Sequence, residues 1–181
     1  MNPKRCANSA LDIAVAVALI VLTATQSWGQ DRMVPRFASV RSSEVNMRTG
    51  PGTRYPIDWV LVRRSQPVEI IDEHEAWRQI RDWQGDVGWV HRSMLRSLRT
   101  VIFTGAQSMR RRPEPQADPV AEIGAGVIAE LLECAAAWCR VETRAQAGRF
   151  KGWVRIGALW GVSHTDNTSV SEEPGPPRFV R

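Results

Sequence analysis

Two kinds of hydrophobic pattern divide the chain. Ile13 to Leu22 is an unbroken apolar run of ten residues, preceded by the cations Lys4 and Arg5. From Ala38 onward apolar residues come in short groups broken by Gly, Pro and charge. Val45 and Met47, two apart, share one face of a strand, and Gly50-Pro51-Gly52 ends that stretch with residues suited to a sharp loop. The same reading predicts an extended segment over 38–48, strands over 57–62, 67–71, 75–81 and 87–91, and a turn at Gln84-Gly85-Asp86. Short strands with turn chemistry between them predict an all-β barrel. The alanine-rich stretch 121–137 imitates a helix, but Gly124 and Gly126 interrupt it. It reads as strand, with Val127–Leu132 aligned on Val68–Glu73.

The plan then repeats. Met47 to Met109 is an offset of 62, Trp77 to Trp138 of 61, and Trp89 to Trp153 of 64. Three landmarks in one order, drifting by no more than three residues, point to duplication. The first copy spans 38–97 and carries Asn46, Gly50, Pro51, Gly52, Trp77, Gly88 and Trp89 as its motif. The second spans 98–162 and keeps Trp138, Gly152 and Trp153, but has Arg111, Arg112 and Glu114 where the first has Thr49, Gly50 and Gly52. A copy of about sixty residues has a marginal core on its own, so the two are expected to pack together. Recurrence of the paired tryptophans favours packing roles for them, and Trp160 is expected to plug the end of the second barrel.

The ends differ in character. A positive start followed by a short apolar core is the form of a signal peptide, and small residues at Ser27 and Gly29 place cleavage after Gly29. An uncleaved N-terminal anchor is the alternative. Residues 30–37 form a polar lead-in, and 163–181 read as a disordered tail, too poor in apolar residues to offset the entropy of ordering. No apolar run after the N-terminus is long enough to cross a bilayer. The chain is therefore expected in the periplasm or secreted, with no membrane span after signal cleavage.

Charge and cysteine usage narrow the chemistry. The formal net charge is +5, and loss of residues 1–29 with Lys4, Arg5 and Asp12 leaves +4. That is modest for nucleic acid, and export removes the opportunity, so no nucleic-acid partner is expected. Arg110-Arg111-Arg112 is either a solvated loop or a clamp for carboxylates or phosphates. After cleavage two cysteines remain, Cys134 and Cys139, and an even pair in an exported chain reads as a disulfide. Two metal ligands at that spacing are the alternative, but no other pair completes a zinc site; no metal and no cofactor is expected. His74, His91 and His164 are scattered, and no nucleophile, base and orienting group can be assembled. No catalytic residue is assigned, and the chain reads as a non-enzyme.

Val45-Asn46-Met47-Arg48-Thr49-Gly50-Pro51-Gly52, then a Trp, then Gly88-Trp89-Val90 resembles the bacterial SH3-like (SH3b) domain pattern. The chain is similar to exported tandem SH3-like proteins of Gram-negative bacteria over 36–162. The resemblance implies two tandem small β-barrels and an envelope location. It also implies peptide binding beside the Gly-Pro-Gly loop, where Arg48, Arg54, Tyr55, Trp59 and Trp83 are the candidate ligand-binding residues. Tyr55, Trp59 and Trp83 have no counterpart in the second copy, and they read equally as local cap packing or as exposed anchors. The function expected is a binding module for peptidoglycan or an envelope peptide or protein. The alternative is a periplasmic adaptor between proteins that does not touch the wall.

Overall fold

The computed structural model describes residues 33–163 and residue 166. The targeting segment, its cleavage point, His164 and the rest of the tail lie outside the described residues.

Seven strands build the first copy: β1 (Arg36–Val40), β2 (Val45–Arg48), β3 (Ile57–Leu61), β4 (Pro67–His74), β5 (Trp77–Arg81), β6 (Val87–His91) and β7 (Leu95–Arg96). Seven more build the second: β8 (Thr100–Phe103), β9 (Gln107–Arg110), β10 (Pro119–Ile123), β11 (Ile128–Ala135), β12 (Trp138–Ala145), β13 (Gly148–Arg155) and β14 (Leu159–Trp160). The spatial order is β3-β2-β6-β5-β4-β1-β7 in one sheet and β10-β9-β13-β12-β11-β8-β14 in the other, the same order strand for strand. A 3₁₀ turn precedes the last strand of each sheet, at Arg92–Met94 and Ile156–Ala158. The 38–48 stretch is two strands separated by a turn, and β1 begins inside the lead-in, at Arg36.

Alternation fills each core. Val40, Val45, Met47, Val68, Ile70, Ile80 and Val90 are buried in the first barrel. Val101, Phe103, Met109, Ala129, Val141 and Val154 are buried in the second, and Cys134 and Cys139 join in a disulfide inside that core. Both long strands carry a bulge, after Ile70 in β4 and after Leu131 in β11. This equates Ile70 with Leu131 and Val68 with Ala129, so the expected alignment is corrected by two residues. A shift of two keeps every side chain on its face, which is why the strand assignment survives it.

The repeat drifts for a visible reason. The β5–β6 connection is the five-residue turn Asp82–Asp86, whereas β12 and β13 pair as far as Ala145 with Gly148. Asp82, buried, organises the first turn by accepting hydrogen bonds from the Gln84 and Asp86 amides at 2.9 and 3.0 Å. The longer second hairpin adds the extra residues and leaves no place for an equivalent of Trp83.

Glycine in the Gly-Trp-Val motif answers to close approach. A methyl group at Gly88 would lie 2.4 Å from Met47 Cγ and 3.1 Å from the Arg48 carbonyl oxygen. At Gly152 it would lie 2.5 Å from Met109 Cγ and 2.7 Å from the Arg110 carbonyl oxygen. The tryptophans that follow are not core residues: Trp89 and Trp153 are half-buried on the opposite face, beside Arg48 and Arg110 in register.

The barrels meet along a seam that is polar in the middle and aromatic at one end. Ser39 and Thr100, both buried, place their hydroxyls 2.7 Å apart, and Thr100 Oγ1 lies within hydrogen-bond distance, 2.8 Å, of the Ser65 carbonyl. Ser39 also reaches the Leu98 carbonyl. Trp160 does not plug the second barrel; it packs edge-on against Phe37 of the first, with ring centroids 5.1 Å apart. Arg99 lies over the Phe37 ring, donates to the Gly161 carbonyl at 3.0 Å and holds the Asp166 carboxylate with both arms, at 2.8 and 2.5 Å. Asp166 belongs to the stretch read as a tail, yet it is held by this clamp. Arg63 closes the other side by donating to the Gly126 carbonyl at 2.6 Å.

Candidate functional site

The Gly-Pro-Gly loop is shaped by its own side chains. The Tyr55 ring lies against Gly50, where a methyl group would come within 2.5 Å of the ring. Arg48 donates from Nη1 to the Thr53 and Tyr55 carbonyls at 3.2 and 2.7 Å. Arg110 does the same for the second copy's loop, donating to the Ala117 carbonyl at 2.8 Å. Arg48 and Tyr55 thus build the loop, Arg48 with one arm of its guanidinium and Tyr55 as a half-buried ring.

Arg54 and Trp59 are placed differently. Arg54 is exposed and stacks on Tyr55, its guanidinium carbon 5.2 Å from the ring centroid. The Tyr55 hydroxyl raises its pKa, through the side-chain hydrogen bond first and their charge interaction second, so it remains cationic. Trp59 is 54% exposed on β3, with Ile57 at 47%, Val60 at 41% and Val62 just beyond the strand at 69%. β3 is the outermost strand of its sheet, paired with β2 on one side. Its counterpart β10 is blunted by exposed Pro119 and Glu122, residues that protect an edge from further pairing. Trp83 sits half-buried in the Asp82–Asp86 turn, away from β3 in the strand order. Among the described residues the ring-to-ring contacts are Phe37–Trp160 and Trp77–His91, so Trp59 and Trp83 do not stack on each other. The structure therefore gathers Arg48, Arg54 and Tyr55 at one loop and leaves Trp59 on an open strand edge.

Two features were missed from the sequence. Ile57, Val60 and Val62 look like core residues when read as an apolar run, and only the strand's outer position exposes them. Arg155, directly after Gly152-Trp153-Val154, occupies the place of His91 and lies over the Trp138 ring, 4.9 Å from guanidinium carbon to centroid. Comparison of the two copies residue by residue would have drawn attention to it. Among the described residues no group of three or more His, Cys, Asp or Glu side chains is placed to hold a metal ion. No described helix is long and apolar enough to cross a membrane.

Two matched tandem barrels with a Gly-Pro-Gly loop and a glycine under each Gly-Trp-Val strand define a class. The bacterial SH3 domain family model matches twice, at residues 41–97 and 105–161, and the chain belongs to that family as a tandem pair of SH3-like barrels. No curated protein matches it. Among solved structures it is similar to NlpC2 of Trichomonas vaginalis, at 11% identity and a TM-score of 0.32, covering 70% of this chain and 48% of that one. NlpC1 of the same organism matches at 12% identity and a TM-score of 0.33, covering 72% and 47%. An NlpC/P60 family protein of Bacillus cereus ATCC 10987 matches at 14% identity and a TM-score of 0.30, covering 68% and 55%. The chain spans about half the length of these proteins, and likenesses at such TM-scores carry no functional argument.

Proposed function

We propose that the protein is an exported, non-enzymatic binding module whose first barrel captures an extended peptide of the cell wall or envelope along β3. The observation that carries this reading is the apolar character of the edge: Ile57, Trp59 and Val60 are exposed on the outermost strand and Val62 just beyond it, with Asp58 the one exposed charge on that strand. An edge strand offers main-chain hydrogen bonds to an incoming strand, and neighbouring side chains then supply specificity. Trp59 is the anchor, since a large exposed ring gives contact area at low entropy cost. Arg54, stacked on Tyr55 at the adjoining loop, meets a carboxylate on the ligand. Peptidoglycan stems and envelope peptides or proteins present such groups, and the apolar run behind Lys4 and Arg5 supports delivery to that compartment.

The test is sedimentation with purified peptidoglycan sacculi. The wild-type chain should pellet with sacculi, and Trp59→Ala should stay in the supernatant with an unchanged melting temperature, because an exposed ring contributes little to folding. A wild-type chain that ignores sacculi but retains an envelope protein through Trp59 would replace wall binding with the adaptor role. Undiminished binding by Trp59→Ala would remove β3 from the site.

A further inference from the structure

The second barrel carries a shallow, wide-open cleft of about 660 Å³ beside Arg155. One wall is the tip of the β11–β12 hairpin, Ala136 and Ala137, and the other is the 3₁₀ turn with Gly157 and Ala158. The walls are tied together by the Ile156 amide, which donates to the Ala137 carbonyl at 3.0 Å, while the Thr104 amide holds the Ala158 carbonyl at 3.0 Å. Arg155 is exposed with its guanidinium over the nearly buried Trp138 ring, and among the described residues its side chain makes no hydrogen bond or ion pair. Its planar fork of donors is therefore available beside the cleft.

The first barrel is an internal control. The same two backbone bonds recur there, from Arg92 to the Ala76 carbonyl at 2.8 Å and from Arg41 to the Met94 carbonyl at 2.8 Å. They equate Ala136 with Glu75, Arg155 with His91, Gly157 with Ser93 and Ala158 with Met94. In that copy the imidazole of His91 packs edge-on against Trp77 and satisfies Nδ1 with the Ser93 side chain at 2.7 Å. Bulkier or self-satisfied groups stand where the second copy has small residues and an unpartnered cation. The two copies therefore differ at this place in wall size and in whether the side chain at the strand end has a hydrogen-bond partner.

We propose that this cleft is a second binding site, one that takes the C-terminal carboxylate of a peptide. Guanidinium and carboxylate match as paired forks, giving two parallel charge-assisted hydrogen bonds. Capture of a chain terminus by a few oriented donors is a known mode of peptide recognition. The Ala and Gly walls leave room beside the guanidinium for the terminal side chain. Gln107 at the rim brings an amide able to pair with the peptide unit before the terminus. This site stands apart from β3 and does not depend on the reading given for it.

Backbone-amide NMR on the chain from Gln30 to Arg181 tests the proposal, with N-acetyl-Ala-Ala, its C-terminal amide and inorganic phosphate as probes. The free acid should shift the amides of Ala137, Ile156 and Gly157 saturably, with the other two probes at least about tenfold weaker, as expected when a bidentate carboxylate contact carries recognition. Arg155→Gln should abolish those shifts, as should Ala158→Met, which restores the first copy's residue; spectra elsewhere report whether each variant stays folded. Three results would overturn the assignment. They are no saturable shift up to about 10 mM of the acid, equal response to the amide or to phosphate, or unchanged shifts in folded Arg155→Gln. Loss of sacculus binding by Trp59→Ala has no bearing on these shifts, so the two sites stand or fall separately.

Discussion

Replacing Gly88 and Gly152 by alanine offers a quantitative test of why the Gly-Trp-Val motif begins with glycine. In an unobstructed strand the change would gain roughly 0.5–1 kcal/mol, because glycine loses the most freedom on folding. Here the new methyl group meets a buried core. At Gly88 the closest atom is Met47 Cγ at 2.4 Å, with the Arg48 carbonyl oxygen at 3.1 Å. A thioether chain can re-rotamerise, so the net cost should be about 1–2 kcal/mol, within the range for overpacking. At Gly152 the Arg110 carbonyl oxygen stands at 2.7 Å, and backbone cannot step aside. The cost there should reach about 3 kcal/mol. Urea titrations followed by tryptophan fluorescence give both values as midpoint shifts at constant slope. A double-mutant cycle separates the causes: Met47→Ala should relieve Gly88→Ala by about 1 kcal/mol, whereas Met109→Ala should relieve Gly152→Ala far less. A neutral or stabilising Gly152→Ala, or equal relief in both copies, would refute steric approach as the reason for these glycines.

Replacing both Cys134 and Cys139 by serine should cost about 2 kcal/mol from the loss of a six-residue loop constraint alone, read as a lower urea midpoint. Alkylation without reduction should leave both sulfurs of the chain unmodified. Thr100→Val should destabilise by about 1–3 kcal/mol, since it strips the Ser65 carbonyl and the Ser39 hydroxyl of a buried partner. Mass spectrometry of an envelope fraction should find a new N-terminus at or near Gln30, and intact Met1 in the cytosol would remove the export expectation.

Strand positions were legible because alternation at Val45 and Met47, and again at Val68 and Ile70, is imposed by a half-buried sheet. The duplication was legible because Met47 and Met109 sit beneath the glycines of the other strand, so the two landmarks are mechanically linked. Burial at β3 was not legible: an apolar run looks the same in a central and an outermost strand, and only strand order decides. The role of Trp160 was also hidden. Its partner Phe37 is far away in sequence and belongs to the other copy, so nothing local distinguishes a seam residue from a barrel plug. Arg48 looked like a free cation because its acceptors are backbone carbonyls, which sequence does not display. Asp166 was read with the tail for a similar reason, since the attraction of Arg99 acts across folded space.

The seam at Ser39, Thr100, Phe37 and Trp160 has a consequence for avidity. It holds β3 of one barrel and the Arg155 cleft of the other on a shared scaffold, so the distance between them is set by the protein. On a polymer that displays peptides repeatedly, engagement at one barrel makes the second encounter intramolecular, at an effective concentration on the order of millimolar. Two weak contacts then multiply into retention about 10²–10⁴ times stronger than either alone, provided the peptides are spaced to match. A soluble peptide reaching one barrel at a time gains none of this. Loss of either site, by Trp59→Ala or Arg155→Gln, removes the gain entirely.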